Sequence, residues 1–267
     1  MQDVIYLFCV ARSNCLPEMA GYSMDGRSPI FLFNFLDIAA IVSSVPVEEF
    51  IGPAAESNLK DLSWIGPRAC RHEEVIEQIM CHAPVLPIRF GTIFSSPERL
   101  GISLKEHYGA ISRFLDDAAE KEEWAVKGLL NRKKAEEIQY KALLACEADN
   151  LASSPGMGYF REKKIRTDAG VAFRGKIEKI LNEIRNDLSR YAADICERRL
   201  LSREATGSDL DMVINWAFFV PRSVKQNFLA RIDRANKDYS GDGFVFAFTG
   251  PWPPYSFSPS LDTEAGQ

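Results

Sequence analysis

The stretch that decides the fold is MVINWAFFV, residues 212–220, an apolar run rich in β-branched and aromatic residues. Such a run predicts a buried strand. Residues 221–237 carry apolar side chains at helical spacing, and GFVFAF at 243–248 again has the composition of a strand. A strand, a helix and a strand in this order predict a β-α-β unit that closes the chain. The apolar residues at helical spacing are Val224, Phe228 and Ile232.

Residues 1–129 alternate short apolar strands with amphipathic helices. Val4–Val10 is a β-branched and aromatic run, and Ser96 followed by Pro97 is the N-cap and first-turn signal of a helix. Strands and helices in mixed order predict an α+β fold for this first domain. Strands are predicted at 4–10, 31–35, 38–43, 85–90 and 123–127, and helices at 73–81 and from Ser96 onward, the latter with Leu100, Leu104, Tyr108, Ile111 and Leu115 inward.

Residues 130–267 form a second predicted domain, with long helices before the β-α-β unit and an extended tail after it. Helices are predicted over 132–146 and over about 157–201. The longer one carries apolar residues at alternating spacings of four and three, a heptad stripe that predicts coiled-coil-like packing. Its partner is open: either helix 132–146 or another chain, as in a homo-oligomer. The stripe is Ile177, Leu181, Ile184, Leu188, Tyr191 and Ile195, and its first four members are candidate partner contacts.

The composition, 46% hydrophobic and 26% charged over 267 residues, is that of a soluble globular protein. A net charge of −5 gives no reason to expect nucleic acid as a partner. Residues 28–47 are long enough to cross a membrane, but Asp37 lies at their centre, where a carboxylate costs about 2.5 to 3.5 kcal/mol, so two strands fit better. The six cysteines include no CxxC pair and no signal peptide is visible, which predicts a cytoplasmic protein with reduced thiols.

Four residues with metal-binding side chains, Cys70, His72, Cys81 and His82, lie close together in the sequence. Adjacent side chains on a helix diverge by about 100°, so the four cannot close one tetrahedral site without unwinding the helix. We therefore predict no metal, and expect a buried cysteine and an exposed histidine on an amphipathic helix. No nucleophile–base signature and no dinucleotide loop occur, so no catalytic residue and no cofactor is predicted.

Two further features call for an interpretation. Arg89 lies in the apolar run VLPIRFG at 85–91, so we expect it to pair with a carboxylate or, less favoured, to line a ligand pocket. Residues 249–257, TGPWPPYSF, hold aromatic residues between prolines, which excludes a helix or a central strand and predicts an extended segment against a surface. A clasp that pins the C-terminus across the two domains is favoured over a binding ledge for a partner.

Two longer motifs are PVLPIRFGTIF at 84–94, preceded by His72-Glu-Glu-Val, and FTGPWPPYSF at 248–257. Together they resemble the gas vesicle protein L/F family (GvpL/GvpF). EWAVK at 123–127 and SPGMGYF at 154–160 look like the WxVK strand and SPGxxYL helix start of that family, with Phe160 in place of the usual leucine. The motif residues singled out are Pro87, Arg89, Phe90, Gly91, Gly250, Pro251, Trp252, Pro253, Pro254 and Tyr255.

The resemblance implies a two-domain α+β fold with ferredoxin-like β-α-β elements, and a minor, non-enzymatic role in building gas vesicles, the gas-filled shells of buoyant microbes. The implied partners are the major gas vesicle shell protein and other accessory proteins, in the cytoplasm and the gas vesicle. We expect the sheet edges or the heptad stripe to contact the shell subunit. Two alternatives stay open: an enzyme or small-ligand-binding protein that uses Arg89, and a scaffolding homodimer formed through the stripe.

Overall fold

The computed structural model describes residues 3–16, 21–146 and 155–261, and the chain divides into two compact units. The first unit comprises the chain up to residue 122 together with the tail from residue 251, and the second comprises residues 123–250. This division differs from the expected boundary at 129/130, because the strand Lys121–Leu130 is an inner strand of the second unit's sheet. The tail groups with the first unit because Tyr255 packs against the core of that unit.

The elements of the first unit are β1 (Asp3–Arg12), β2 (Ile30–Phe35), β3 (Ile38–Pro46), α1 (Pro53–Asn58), α2 (Leu62–Met80), β4 (Val85–Pro87), β5 (Ile93–Phe94) and α3 (Pro97–Ala118). The strands form an antiparallel sheet in the order β2-β3-β1-β4, and β5 also pairs with β1. Strand β1 is buried on both faces, and both α2 and α3 contact it. This burial explains why β1 is apolar throughout instead of alternating with polar residues.

The stretch 28–47, weighed above as a membrane span, forms β2 and β3 as expected. The two strands pair in register from Ile30↔Ser43 to Phe35↔Ile38, which leaves Leu36 and Asp37 as a two-residue turn. Asp37 therefore lies at an exposed turn, where a carboxylate remains hydrated. Within the described residues, no helix is both long and apolar enough to span a membrane.

Helix α2 begins at Leu62, well before the predicted start at residue 73. Its N-cap is Asp61, whose side chain accepts a hydrogen bond from the backbone N–H of Ser63. The cap starts the helix upstream of the amphipathic stripe from which the prediction was made. The side chains that α2 buries in the first unit are His72, Val75, Ile76 and Ile79.

Helix α3 begins as predicted. The Ser96 side chain accepts a hydrogen bond from the N–H of Arg99, and Pro97 occupies the first turn. Four of the five side chains predicted to point inward are buried: Leu100, Leu104, Ile111 and Leu115. The fifth, Tyr108, is only half-buried, because its hydroxyl donates a hydrogen bond to the exposed carboxylate of Asp37.

The elements of the second unit are β6 (Lys121–Leu130), α4 (Arg132–Cys146), α5 (Pro155–Ser189), β7 (Asp194–Glu197), α6 (Arg203–Thr206), β8 (Asp211–Pro221), α7 (Lys225–Tyr239) and β9 (Phe244–Trp252). The sheet order is β7-β8-β6-β9. The last strand therefore lies beside the first, with helices between β6 and β7 and between β8 and β9. This is the β-α-β-β-α-β arrangement of ferredoxin-like folds, and the predicted α+β class is confirmed.

The strand predicted at 243–248 continues to Trp252 as β9. The prolines and glycine of this segment exclude a central strand, and β9 is in fact an edge strand of the sheet. An edge accommodates Pro251 because one side of the strand needs no ladder hydrogen bond. The segment 249–257, predicted to be extended, therefore starts as the end of β9 and continues into the tail that groups with the first unit.

Helix α5 ends at Ser189, not at residue 201 as predicted. Residues 194–197 form β7 instead, and Ile195 pairs with Phe218 of β8. A β-branched residue fits the heptad spacing and a strand equally well, so spacing alone extended the helix too far.

The rest of the stripe lies inside the second unit. Ile184 and Leu188 are each 1% exposed and share a core with Phe218 of β8 and Phe228 of α7. Ile177 and Leu181 pack against the same core and are partly buried. The stripe therefore packs on side chains of its own sheet and of α7, and α5 also packs against α4, which is the helix 132–146 left open above as an intramolecular partner.

Candidate functional site

The motif VLPIRFG brings a turn of the chain against β1 in the first unit. Pro87 pairs with Cys9 at the end of β4, and the N–H of Ile88 donates to the carbonyl oxygen of Phe8 at 3.0 Å. Gly91 then turns the chain at φ +86°, in the region that favours glycine. Its N–H donates to Tyr6 Oη at 3.1 Å. The motif thus closes over a buried tyrosine of the central strand.

Arg89 does not behave as expected. Its side chain is exposed, and it has no hydrogen bond or ion pair with any residue that the structure describes. Its carbonyl oxygen accepts hydrogen bonds from the N–H and hydroxyl of Thr92, at 3.2 and 2.8 Å. The correction has a local cause: the buried run ends at Ile88, and Arg89 begins the turn that carries Gly91 back toward β1.

His72 is the buried polar residue at the centre of this region, with 0% exposure. Its Nδ1 lies 2.8 Å from Tyr6 Oη, and its Nε2 lies 2.9 Å from the carbonyl oxygen of Ile88. Because a carbonyl oxygen only accepts, Nε2 carries the proton and Nδ1 accepts from the tyrosine. Burial lowers the pKa of His72 to about 4, against the opposing effect of the bond to Ile88. The imidazole is therefore neutral at neutral pH.

Tyr255, from the motif GPWPPY, completes the same cluster. Its hydroxyl donates to Glu73 Oε1 at 2.8 Å and lies 3.3 Å from His72 Nε2. Burial, followed by the charge of Glu73, raises the pKa of Tyr255. Burial also raises the pKa of Glu73, helped by Glu77 and opposed by the bond from Tyr255. We call Tyr6, His72, Glu73, Ile88, Gly91 and Tyr255 the His72 cluster.

The His72 cluster joins the two motifs that lie more than 150 residues apart in the chain. Pro253 and Pro254 are buried beside it, and the ring of Phe90 lies 5.8 Å from that of His72. Phe8 stacks on the imidazole, with the ring centroids 5.6 Å apart. The histidine is thus enclosed by aromatic rings, and its two nitrogens are used in holding β1, the turn and the tail together. This arrangement therefore stabilises the fold of the first unit.

The four residues weighed as metal ligands do not come together. His82 is the expected exposed histidine, but Cys70 and Cys81 are exposed too, and the buried member of the four is His72 instead of a cysteine. Across residues 3–16, 21–146 and 155–261, no three His, Cys, Asp or Glu side chains are placed to hold a metal.

The remaining motif residues lie on β9. A Cβ at Gly250 would stand 2.8 Å from the carbonyl oxygen of Glu123 on β6, and φ there is +141°, so this position requires glycine. Trp252 is 41% exposed and Pro251 is exposed.

Two of the four residues proposed as partner contacts, Ile184 and Leu188, are core residues of the second unit. A charge placed at Leu188 would therefore destabilise the fold, and a loss of binding in that variant would not identify a binding surface.

A second polar cluster, which sequence reasoning missed, holds the β2–β3 turn. The guanidinium of Arg12 pairs with both Asp37 and Asp116 and donates to the carbonyl and hydroxyl oxygens of Ser112 at 3.1 and 2.8 Å. The hydrogen bond from Tyr108 and the charge of Arg12 lower the pKa of Asp37. The sequence feature that could have predicted this cluster is Arg12 at the end of an apolar strand, because an arginine next to a buried strand needs carboxylate or carbonyl oxygens as hydrogen-bond partners.

Two shallow pockets lie in the second unit, and each has a volume of about 10 Å³ or less, room for no more than one water molecule. The first is lined by Val126, Ile184, Leu188 and Phe246 with Arg231 at its edge, and the second lies between α4, α5 and β9. Both are smaller than the 300 to 1,000 Å³ that is usual for small-molecule sites.

Comparison with known proteins gives one consistent result. A family model described as gas vesicle synthesis protein GvpL/GvpF matches residues 4–259. Gas vesicle protein L of Streptomyces sp. (strain CB03234) is 25% identical over 95% of this chain and 92% of its own length. Gas vesicle protein F of the same strain is 28% identical over 94% and 98%. The crystal structure of GvpF from Anabaena sp. PCC7120 has a TM-score of 0.69 at 16% identity, covering 97% of this chain and 99% of that one.

Proposed function

Because this chain belongs to the GvpL/GvpF family of gas vesicle synthesis proteins, we propose that it is a non-enzymatic accessory protein that binds the shell subunit during gas vesicle assembly. The observation that carries the proposal is the match over residues 4–259, which spans both units. Other accessory proteins of the assembly are proposed as further partners, in the cytoplasm and at the gas vesicle.

The physical need for such a protein follows from the wall itself. A wall that holds gas and excludes water must present apolar surface, and its subunits associate wrongly if that surface meets water before assembly. A folded protein with exposed apolar side chains and open strand edges can cover such surface for a time. This chain exposes large apolar residues on both units, among them Leu36 and Val245.

A non-enzymatic role is supported by how the titratable residues are used. His72, Tyr6 and Tyr255, which have strongly shifted pKa values, all bond each other or the backbone inside the first unit. The alternative of a small-ligand protein built around Arg89 loses support, because Arg89 is exposed and the cavities above are small and largely apolar. The homodimer alternative loses support because the stripe packs within its own unit.

The test is co-expression of the tagged chain with the major gas vesicle shell subunit, followed by affinity capture and native mass spectrometry. We expect a soluble complex of defined stoichiometry, whereas the shell subunit expressed with an unrelated tagged protein stays insoluble. Recovery of this chain alone, with the shell subunit in the pellet, would contradict shell binding and favour a scaffold that engages only other accessory proteins.

A further inference from the structure

We propose that Leu36, at the tip of the β2–β3 hairpin, is the apolar anchor by which this protein holds the shell subunit. The proposal rests on the proposed function and assigns its contact to one place. Leu36 is 73% exposed, although it follows the uncharged and largely apolar segment at 28–35. An exposed leucine alone is common on protein surfaces and needs no explanation. Leu36 differs from other exposed leucines in its backbone conformation.

Leu36 has φ +54° and is the only residue other than glycine with positive φ among the residues that the structure describes. A side chain in this left-handed region costs about 1 to 2 kcal/mol, and the first position of a two-residue hairpin turn with positive φ normally holds glycine or asparagine. A leucine there gains nothing by burial within its own chain. Folding of the chain therefore gives no reason for leucine at this position, and strain kept in an exposed residue points to an external contact.

The tip is held rigidly from behind. The carboxylate of Asp37 pairs with Arg12 and accepts the hydroxyl of Tyr108, and the carbonyl oxygen of Asp37 accepts the N–H of Ser13 at 3.0 Å. The ring of Phe35 lies 6.2 Å from that of Tyr108. Four contacts, from Arg12 at the end of β1, from the next residue Ser13 and from Tyr108 of α3, thus fix the turn, so little conformational entropy is lost when Leu36 enters a partner.

The surroundings of the tip favour an apolar partner over a second copy of this chain. No charged residue occurs from Ser28 to Leu36, and Phe31, 37% exposed, lies about 17 Å along β2 from the tip. Behind the tip, Asp37 and Asp116 share the single cation Arg12, which leaves a net charge of −1. Two copies meeting tip to tip would bring these acidic groups together, whereas an apolar subunit meets only Leu36 and the uncharged strand.

The test compares Leu36→Asn, Leu36→Gly and Leu36→Met in the full chain, co-expressed with the major shell subunit as above. Asparagine and glycine relieve the backbone strain and remove the apolar side chain, so shell subunit captured per mole of chain falls about tenfold. The midpoint of thermal unfolding stays equal or rises. Methionine keeps the apolar contact and captures within about twofold of wild type. Leu62→Asn is the matched control, since Leu62 is 82% exposed in ordinary helical backbone, and it leaves capture unchanged.

Capture that is unchanged in Leu36→Asn and Leu36→Gly overturns the anchor while leaving shell binding in place. If wild type itself captures no shell subunit, the proposed function fails first, and the anchor fails with it. Equal losses in Leu36→Asn and Leu62→Asn also overturn the anchor, because they mean that any exposed leucine contributes alike. A lowered unfolding midpoint in Leu36→Asn contradicts it too, since the leucine would then serve the fold.

Discussion

His72 is the residue at which the two motifs meet, and sequence patterns could not have placed it there. Tyr6 lies 66 positions before it in the chain and Tyr255 lies 183 positions after it. Helical and strand periodicity report only neighbours within a few residues, so they predicted the strand and the tail but not their contact. The same limit hid the burial of His72, which lies just before the helix predicted at 73–81.

Replacing Tyr6 by phenylalanine tests how much the His72 cluster stabilises the first unit. The change removes the partner of the buried His72 Nδ1 and that of the partly buried N–H of Gly91, so we expect the free energy of unfolding to fall by about 1 to 3 kcal/mol. Urea denaturation measures the free energy of unfolding of each variant. Tyr239→Phe is the control, because its hydroxyl bonds Glu183 at an exposed site, and it should change the free energy by under about 0.5 kcal/mol. Equal effects of the two changes would contradict the assignment.

His72 also makes stability depend on pH. Its pKa is about 4 in the folded protein and 6.5 when unfolded, so the unfolded state alone takes up a proton between these values. The stability present above pH 6.5 is therefore lost as the pH falls toward 4, by up to about 3 kcal/mol. The raised pKa of Glu73 has the opposite effect, because it makes the folded state gain stability as the pH falls. The free energy of unfolding is therefore measured against pH in the Glu73→Gln variant, which removes this titration and keeps an oxygen to accept the hydroxyl of Tyr255.

The site-specific check is an NMR titration of the histidine rings, assigned with His82→Gln and His107→Gln. The His72 ring signal should move with a midpoint near pH 4. A midpoint near 6.5 would show that water reaches the ring and that the fall in stability has another source.

At the scale of whole elements, prediction succeeded where the deciding interaction is local. Ser96 caps α3 through a residue three positions away, and β2 and β3 are joined by a two-residue turn. It failed where one residue satisfies two patterns, as Ile195 does, because only pairing with β8 decides between helix and strand. The stripe on α5 was identified correctly as a buried face, but it packs on side chains of the sheet and of α7, which no heptad count reveals.

Leu188→Ala should therefore destabilise the second unit. Leu188 is 1% exposed among β-sheet and α7 side chains, and removing a buried leucine costs about 2 to 5 kcal/mol. Val171→Ala on the same helix is the control, since Val171 is 57% exposed, and a change under about 0.5 kcal/mol is expected. Thermal unfolding of both variants measures the difference. If Leu188→Ala leaves the unfolding midpoint unchanged, α5 does not pack as described.

Gly250→Ala tests the close approach of the edge strand β9 to β6. A Cβ at Gly250 would lie 2.8 Å from the carbonyl oxygen of Glu123, and backbone cannot move as a flexible side chain can. We expect about 1 to 3 kcal/mol of destabilisation, seen as a lower unfolding midpoint. Gly241→Ala is the control, because a Cβ there meets nothing within 4 Å. A Gly250→Ala protein as stable as Gly241→Ala would mean that β9 separates from β6 without cost.

For the whole molecule, the order of the chain makes the first unit depend on residues that are synthesised after the second unit. The chain leaves the first unit after residue 122 and returns to it at 251. Until Tyr255 arrives, Glu73 lacks its hydrogen-bond donor and the core of the first unit lacks the Tyr255 ring that packs against it. A nascent chain therefore completes the first unit only after residues 123–250 have been made, which delays its stable form until the second unit has been synthesised.

A chain ended after Trp252 tests this dependence. Without the tail, we expect amide hydrogen exchange to accelerate in α2 and β4, which carry Glu73 and adjoin Ile88, because these segments lose the bonds to Tyr255 and its burial. Tyr255→Phe keeps the burial and removes only the hydroxyl, so its acceleration should be smaller and centred on Glu73 and His72. Acceleration confined to 123–250 would contradict the argument, since the tail would then stabilise the second unit and the first would be complete without it.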